Sequence, residues 1–386
     1  MNERVLLTGI SGYIGQHCAS ELLNQGFHVV GTVRSLSKVD ATRSAIGAVA
    51  PVDKLSFVEA DLLSEAGWDK AMHGCTFVVH VASPFVLAEP KNEEVLIAPA
   101  VEGTKRVINA ALRAGVQRLV LTSSTLSMVA GRQSGRYGTD AWSDLNANIG
   151  AYAKSKTLAE QSAWAQVAKS NLELVVINPG AVYGPSLGAE VDGQSVAFIK
   201  DLIRGKVPMI PNVAMGMVDV RDVSRLHVAA LTTARAAGQR FIAATSEPIT
   251  MSHVAETLRN AGYKKVPSRK APNVAIKLMS LFDREAKGML PLLNLSHSFD
   301  ISGKNPKCNS ASLEYFCISG LYFSSTSIPK HSKPRFDISP SKMPGLQAIS
   351  KFIFGSMWLK FSMTSLFLST TLDTCSSMDD LIGVDQ

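Results

Sequence analysis

Residues 4–15 read Arg-Val-Leu-Leu-Thr-Gly-Ile-Ser-Gly-Tyr-Ile-Gly, a short apolar run followed by glycines at positions 9, 12 and 15. The run Arg4–Thr8 predicts a buried strand, because it is apolar and stops at a glycine. The segment from Gly12 to Asn24 is amphipathic and predicts a helix, which Gly26 is placed to end. Residues 27–33 predict a second strand. Strand, glycine turn, helix and strand predict an α/β fold with a Rossmann-type doubly wound parallel sheet.

The three glycines indicate a binding site for a dinucleotide. Glycine lets the backbone turn tightly and approach a pyrophosphate, which then lies at the N-terminal end of the helix. The same spacing also occurs in ordinary tight turns. Its position between a strand and a helix, near the start of the chain, favours the nucleotide site.

The second predicted strand ends in Gly31-Thr32-Val33-Arg34-Ser35, which bears on the choice of cofactor. Folds that prefer NAD place an Asp or Glu here, to accept a hydrogen bond from the ribose 2′-hydroxyl. This chain has Arg34 instead, with Lys38 just beyond, and both cations suit a 2′-phosphate. The alternative is an arginine that is simply solvated. We expect the cofactor to be NADP(H).

Further predicted strands cover residues 55–60, 76–81, 118–122 and 172–177. Asp61 follows the first of them, where a carboxylate either accepts from an adenine amino group or caps the next helix. Ser123 and Ser124 end the strand 118–122, at the edge where ligands bind in open α/β sheets.

The predicted helix that follows carries Tyr152 and Lys156, four residues apart and therefore on one helix face. An ammonium group beside a phenol favours the phenolate and is expected to lower the phenol pKa. Tyr and Lys at this spacing also occur by chance. With Ser124 just upstream and a dinucleotide site before it, we interpret Ser124, Tyr152 and Lys156 as catalytic.

Composition restricts the classes of partner. The 386 residues carry a net charge of +7, without a block of five or six Lys or Arg, so nucleic acid is not implied. Five irregularly spaced cysteines, without a CxxC pair or a His cluster, predict neither a disulfide framework nor a metal site. The apolar stretch Ile353 to Leu368 is interrupted by Lys360, and the N-terminus starts directly with a strand. We expect a cytoplasmic protein that does not enter membranes.

The sequence resembles the extended short-chain dehydrogenase/reductase family, within the NAD-dependent epimerase/dehydratase superfamily. It is most similar to the branch of dihydroflavonol reductases, cinnamoyl-CoA reductases and aldehyde reductases. The motifs that carry this resemblance span roughly the first 300 residues in the family's order: TGISGYIG at 8–15, GTVRS at 31–35, HVASPF at 80–85, the serine pair at 123–124, YAKSK at 152–156, NPGAVYGP at 178–185 and VDVRDV at 218–223.

The resemblance implies hydride transfer between NADPH and the carbonyl group of a small molecule, an aldehyde or a ketone. Tyr152 then protonates the oxygen, Ser124 holds it, and Lys156 lowers the tyrosine pKa and binds the nicotinamide ribose. The implied cofactor contacts are Gly9, Ser11, Gly12, Tyr13, Ile14 and Gly15 at the pyrophosphate, Arg34 and Lys38 at the 2′-phosphate, Asp61 and Leu62 at the adenine, Val81, Ala82 and Ser83 at the middle of the cofactor, and Pro179, Gly180, Ala181 and Val182 at the nicotinamide.

Two other functions stay open at this point. One is a nucleotide-sugar epimerase or dehydratase of the same superfamily, which the presence of Arg34 disfavours. The other is a non-catalytic NADP-sensing protein, which the retention of Ser124, Tyr152 and Lys156 disfavours. The residues expected to line the substrate pocket are mostly apolar: Phe85, Thr125, Met128, Tyr183, Phe198 and Met217. His227 is interpreted as a packed or capping residue, and a homodimer is an open alternative to a monomer.

Three segments are predicted along the chain. Residues 1–178 form the NADP-binding Rossmann domain with the catalytic residues, and residues 179–302 form mainly a smaller substrate lobe, interleaved with the Rossmann core. From residue 303 to 386 the composition changes abruptly to Ser, Phe and Lys, with few Ala, Val or Glu. This tail is interpreted as a serine-rich, partly disordered extension or as the product of an altered reading frame, and the abrupt change favours the second.

Overall fold

The computed structural model describes residues 3–84, 88–188 and 193–301. Its strands in chain order are β1 (Arg4–Thr8), β2 (His28–Val33), β3 (Leu55–Glu59), β4 (Phe77–His80), β5 (Arg118–Thr122), β6 (Gly135–Tyr137), β7 (Glu173–Pro179), β8 (Ala181–Tyr183), β9 (Ala214–Met215), β10 (Met217–Asp219), β11 (Arg240–Ala243), β12 (Ile249–Thr250) and β13 (His297–Phe299). The helices are α1 (Tyr13–Asn24), α2 (Val39–Gly47), α3 (Trp68–Met72), α4 (Glu94–Arg113), α5 (Leu126–Val129), α6 (Ala151–Val167), α7 (Gln194–Ile203), α8 (Val220–Thr232), α9 (Met251–Asn260), α10 (Asn273–Met279) and α11 (Arg284–Met289).

Seven strands form one parallel sheet in the order β11-β7-β5-β4-β1-β2-β3. The chain therefore leaves β1 outward to β3, returns to β4 beside β1, and builds the other half from there. This reversal at β1 and β4 defines the crevice at the carboxyl ends of the strands, where doubly wound folds bind ligands. The predicted α/β fold with a doubly wound parallel sheet is confirmed.

The core lies on both faces of this sheet, because successive strand residues point to opposite sides. Val5 and Leu7 of β1 face one layer, in which α1 and α8 pack, together with Val175 and Ile177 of β7. Leu6 of β1 faces the opposite layer, where α4 and α6 pack against each other. Burial on both faces explains why these strands are almost continuous apolar runs rather than alternating ones.

The chain beyond β7 contributes to two regions. β11 and α8 complete the large sheet and one of its helical layers. The remainder forms short two-stranded pairs, β10 with β8, β12 with β9 and β13 with β6, and the helices α7 and α9 to α11. The predicted boundary at residue 178 stays an interpretation of this arrangement. The predicted change of character at residue 303 lies outside the described residues.

Candidate active site

The glycine turn after β1 provides an open cradle of backbone groups. Gly9 has a φ of +69°, a left-handed conformation that favours glycine, and the N–H of Gly12 donates to its carbonyl oxygen at 2.9 Å. A Cβ at Gly15 would lie 2.1 Å from the Gly9 oxygen, so the turn has no room for a side chain there. The N-cap of α1 is Gly12, and no side chain caps this helix end. This N-terminal end of α1 is the kind of position at which an anion binds.

Tyr13 and His17 of α1 tie this helix to the loop that follows β8. The Tyr13 hydroxyl donates to the carbonyl oxygen of Gly184 at 2.9 Å, and Nε2 of His17 lies 2.9 Å from the carbonyl oxygen of Pro185. The buried Tyr13 ring also packs with Val196 and Val220. Tyr13 was predicted to contact the pyrophosphate. Its backbone belongs to the glycine turn, whereas its side chain holds the loop that follows β8. Ser11 and Ile14 lie beside it, both half-buried.

Arg34 and Lys38 follow the end of β2, and both side chains are exposed. Within the described parts of the chain, neither side chain makes a hydrogen bond or an ion pair. Ser35, between them, caps a short 3₁₀ turn by accepting from the N–H of Ser37. The guanidinium of Arg34 is therefore available beside the glycine-turn end of the sheet, as a 2′-phosphate would require.

The segment after β3 holds Asp61 and Leu62 through its own contacts. Oδ1 of Asp61 accepts from the N–H of Leu63 at 2.9 Å, so the carboxylate stabilises a local turn. The carbonyl oxygen of Leu62 accepts from the guanidinium of Arg106 at 2.7 Å. Both residues stand at the carboxyl end of β3.

The segment Val81–Ser83 is held against β1 by a chain of buried polar groups. The N–H of Ala82 donates to Oγ1 of Thr8 at 3.0 Å, and Thr8 lies 2.7 Å from Nδ1 of His80. Nε2 of His80 is 3.4 Å from Oγ1 of Thr104. Burial lowers the pKa of His80 to about 3, and the charge of Lys156 lowers it further, so this ring is neutral near pH 7. This series of hydrogen bonds holds the segment Val81–Ser83 next to the glycine turn through the N–H of Ala82.

Ser124, Tyr152 and Lys156 meet at the carboxyl end of β5. The Ser124 side chain is hydrogen-bonded to the Tyr152 hydroxyl. Nζ of Lys156 donates to the carbonyl oxygen of Thr122 at 3.2 Å. Lys156 also shares the lining of a cavity of about 10 Å³ with Ala82 and Ser83. The structure thus brings together the three residues predicted as catalytic and the predicted middle of the cofactor site.

The ionisation of Tyr152 differs from the sequence-based expectation. The residue is partly buried, and burial of its hydroxyl raises the pKa well above the ordinary value, while the hydrogen bond with Ser124 lowers it in part. Burial likewise lowers the pKa of Lys156 to about 8, against the opposing effect of the Glu160 charge. The expected lowering of the tyrosine pKa by Lys156 is therefore wrong for this structure. Desolvation of the phenol is stronger than the influence of a cation that is itself buried.

Pro179, Gly180, Ala181 and Val182 follow β7 and border the same edge of the sheet. The N–H of Thr125 donates to the carbonyl oxygen of Pro179 at 2.9 Å, which joins this segment to the turn after Ser124. A Cβ on Gly180 would lie 2.2 Å from the carbonyl oxygen of Gly216. This glycine therefore permits the close passage of two backbones, and Ala181 and Val182 continue into β8.

Sequence reasoning missed a buried polar cluster directly behind Ser124. Its centre is Glu160 of α6, and its other members are Ser123, Ser127, Asn178 and Arg240. The sequence does show that Glu160 lies one helical turn after Lys156, and this spacing could have pointed to Glu160. Its partners Asn178 and Arg240 lie 18 and 80 residues further along the chain, so spacing alone did not connect them.

The residues expected to line the substrate pocket have different environments. Met128 is fully buried in a small core with Val129, Ile242 and Phe299, so its assignment to the pocket is wrong. Thr125 and Met217 are also buried, whereas Tyr183 and Phe198 are half-buried. Phe85 lies outside the described residues.

His227 is packed, as expected. Its Nδ1 lies 2.8 Å from the carbonyl oxygen of Val223, and its Nε2 lies 2.7 Å from Oγ1 of Thr122. The carbonyl can only accept, so the proton sits on Nδ1 and the Thr122 hydroxyl donates to Nε2. Burial lowers the pKa of His227 to about 4.

None of the helices within residues 3–84, 88–188 and 193–301 combines the length and hydropathy that a bilayer-spanning segment needs. Across the same residues, no three His, Cys, Asp or Glu side chains are grouped as metal ligands. Cys18 and Cys75 are buried free thiols. Burial raises the pKa of both thiols.

Comparisons with known proteins agree with the fold. Residues 5–244 match the model of the NAD dependent epimerase/dehydratase family. Cinnamoyl-CoA reductase CAD2 of Medicago truncatula is 37% identical over 251 residues, which are 62% of this chain and 75% of that protein. Dihydroflavonol 4-reductase of Zea mays is 33% identical over 267 residues, 66% of this chain and 73% of that protein.

Among solved structures, the fold is similar to that of a yeast methylglyoxal/isovaleraldehyde reductase, Gre2, in complex with NADPH. The TM-score is 0.63 at 22% identity, over 82% of this chain and 98% of the yeast protein. At this identity the likeness concerns the fold, which is shared over nearly the whole length of the yeast enzyme.

Proposed function

Because the chain belongs to the NAD dependent epimerase/dehydratase family, and to its oxidoreductases, we propose that it is an NADPH-dependent carbonyl reductase. In this proposal it transfers hydride to an aldehyde or ketone and releases an alcohol. The observation that carries the proposal is the Ser124–Tyr152 hydrogen bond beside the buried Lys156, at the sheet edge that also holds the glycine turn. The similar proteins named as reductases support it.

The residues present fit NADPH. The glycine turn has the uncapped helix end and the lack of side-chain space that a pyrophosphate needs, and exposed Arg34 supplies a cation for the 2′-phosphate. When bound, NADPH supplies the hydride that reduces the carbonyl carbon. Lys156 would hold the nicotinamide ribose, and residues 179–182 would border the nicotinamide. Residues 179–301 would complete the substrate side, where Tyr183 and Phe198 are half-buried and could contact a substrate.

Tyr152 is the proton donor in this proposal. Its raised pKa keeps the phenol protonated near neutral pH, which is the form that reduction consumes. The oxygen of the substrate carbonyl gains this proton as the carbon gains the hydride, and the phenolate that remains recovers a proton from solvent. In this proposal the ammonium of Lys156, one helical turn after Tyr152 on α6, stabilises the phenolate while the negative charge exists.

Ser124 orients the substrate. Its Oγ accepts the N–H of Leu126 at 3.1 Å, which fixes the side chain and leaves the hydroxyl proton to donate. That proton is shared between the phenol oxygen and the carbonyl oxygen that approaches it. Donation to the developing alkoxide is the stabilisation that active sites direct at growing negative charge.

The variant Tyr152→Phe tests the proposal, because it removes the transferred proton and keeps the ring. With NADPH and a panel of aromatic and aliphatic aldehydes, kcat/KM should fall by about 10²–10⁴-fold, the usual contribution of general acid catalysis. NADPH affinity, followed by its fluorescence, should change little.

Tyr263→Phe is the matched control, since Tyr263 follows α9 and is not among the residues assigned to this site. It should reduce aldehydes at the rate of the unaltered protein. Aldehyde reduction that survives in Tyr152→Phe would contradict the assignment of Tyr152. Absence of turnover of every carbonyl by the unaltered protein, with NADPH bound, would contradict the reductase proposal itself.

A further inference from the structure

A buried carboxylate stands behind the proposed catalytic residues. The side chain of Glu160 is 0% exposed, and it is one helical turn after Lys156 on α6. An isolated carboxylate in such surroundings is costly, so buried carboxylates occur where they are paired and hydrogen-bonded. Glu160 meets this condition with partners from three other parts of the fold.

Oε2 of Glu160 holds the turn that carries Ser124. It accepts from Oγ of Ser123 at 2.6 Å, directly before Ser124, and from Oγ of Ser127 at 2.7 Å, three residues after it in α5. It also accepts from Nδ2 of Asn178 at 3.0 Å, and the same Nδ2 is 3.2 Å from the carbonyl oxygen of Ser124. One oxygen atom therefore fixes the turn after β5 against the end of β7.

Oε1 of Glu160 forms an ion pair with Arg240, which neutralises the negative charge of the carboxylate. It accepts from Nε of Arg240 at 2.6 Å, and the Arg240 side chain is 8% exposed. The guanidinium also donates to the carbonyl oxygens of Thr139 and Ala141 and lies 4.0 Å from the ring centroid of Trp142. Nε1 of Trp164 lies 3.4 Å from the same Oε1. The pair is thus built into the core rather than placed at the surface.

Glu160 and Lys156 line the same small cavity, together with Ser123 and Thr122. Tyr152 lies one helical turn before Lys156 on α6, and the charge of Lys156 also acts on His80 at the end of β4. His80 is neutral near pH 7, because burial lowers its pKa to about 3. The anion that faces the Lys156 ammonium from within α6 is therefore Glu160.

We propose that Glu160 is a positioning residue for the reductase reaction: it fixes the Ser124 turn through Oε2, and its charge keeps Lys156 protonated in the buried site. This inference rests on the proposed function and deepens it. Arg240 makes the arrangement stable by neutralising the carboxylate from the opposite side.

The sign of the electrostatic effect gives the test. Burial lowers the pKa of Lys156 to about 8 and the Glu160 charge raises it, so loss of that charge lowers it further. Lys156 acts as the ammonium, so activity is present below its pKa and is lost as the pH rises through it. Glu160→Gln should therefore move the alkaline limb of the kcat/KM profile to lower pH by about one unit or more.

Two different quantities are measured as a function of pH, so that the test does not depend on turnover alone. The pH profile of kcat/KM is recorded with NADPH and benzaldehyde, and the pH dependence of the NADPH dissociation constant is recorded by fluorescence. Glu160→Gln should shift both profiles in the same direction. If the unaltered protein reduces no carbonyl, the proposed function fails, and the NADPH titration still tests the role of Glu160.

Glu93→Gln is the matched control, because Glu93 pairs with Lys154 of the same helix at 2.6 Å but on a more exposed face. Its profiles should coincide with those of the unaltered protein. If Glu160→Gln does not fold, the double variant Glu160→Leu with Arg240→Met removes both charges and should give the same downward shift. A uniform loss of activity at every pH, with the alkaline limb unmoved in the folded variant, would overturn the inference.

Discussion

At the end of β1 the proposed site consists of backbone, whereas at the end of β5 it consists of buried side chains that hold one another. Gly9, Gly12 and Gly15 form the first part, in which the turn has no room for side chains and no side chain caps the following helix. Ser124 and Glu160 belong to the second part, where hydrogen bonds with neighbouring residues hold the polar side chains in place. Binding of a cofactor requires access, which the uncapped end of α1 provides. Proton transfer requires fixed geometry, which the hydrogen bonds of the buried Glu160 provide.

This difference predicts how each part fails. The side-chain part contains a buried ion pair, so a change there should cost stability before anything else. A change in the backbone part should cost less stability and should mainly weaken cofactor binding. Three substitutions separate these outcomes.

Arg240→Met should give the largest effect on stability. It leaves the Glu160 carboxylate, which is 0% exposed, without its counter-charge, and such removal costs about 3–5 kcal/mol. The free energy of unfolding, measured in urea by circular dichroism, should fall by this amount. Arg225→Met is the control, because Arg225 is 52% exposed in its pair with Asp222, and exposed pairs contribute about 0–1 kcal/mol. An equal fall in the free energy of unfolding in the two variants would show that the buried pair contributes no more to stability than the exposed pair.

Gly15→Ala should affect NADPH binding most. The added Cβ would lie 2.1 Å from the Gly9 oxygen and 2.9 Å from the Gly9 carbonyl carbon, so the turn itself must move. Overpacking of this kind costs about 1–3 kcal/mol, and here it displaces the N–H groups that the pyrophosphate needs. Isothermal titration should show NADPH affinity reduced by roughly 100-fold or lost, with the protein still folded.

Gly47→Ala is the control for that substitution. Gly47 ends α2, and a Cβ there would have its closest neighbour, a Val52 methyl group, at 3.6 Å. Alanine also favours the helix more than glycine does. Stability should rise slightly and NADPH affinity should stay the same. Unchanged NADPH affinity in Gly15→Ala would contradict the interpretation of the glycine turn.

The same contrast explains what could be predicted from the sequence. The backbone part depends on local order, strand then glycines then helix, and local order is visible in one sequence. The prediction of β1 at residues 4–8 was therefore correct to the residue, and that of α1 was within one residue. The parallel sheet followed from repetition of apolar strands and amphipathic helices, whose hydrophobic periods are distinct.

The side-chain part depends on contacts between distant residues, and these were not visible. Arg240 reaches Glu160 because β11 joins the sheet beside β7, a pairing that no spacing predicts. The pKa of Tyr152 was expected in the wrong direction for the same reason, since the depth of its hydroxyl depends on tertiary packing. Sequence motifs identified Ser124, Tyr152 and Lys156, the residues that we propose to be catalytic, and the fold added Glu160 and Arg240 behind them.

Arg34→Ala should give the smallest and most selective effect. The guanidinium is exposed and makes no ion pair within the described residues, so its removal should leave stability unchanged. Hydrogen bonds to charged groups contribute about 1.5–3 kcal/mol, so NADPH affinity should fall by roughly 10- to 100-fold. NADH, which has no 2′-phosphate, should bind as before.

The salt dependence sharpens this last prediction. An exposed cation that meets a phosphate is screened by ions, so the preference for NADPH over NADH should decline as salt increases. In Arg34→Ala the remaining preference should depend much less on salt, because the main cation facing the phosphate is gone. Arg225→Ala, which removes an exposed arginine from α8, should keep both the preference and its salt dependence. Equal weakening of NADPH and NADH in Arg34→Ala would instead place this side chain at the adenine or the ribose, and not at the 2′-phosphate.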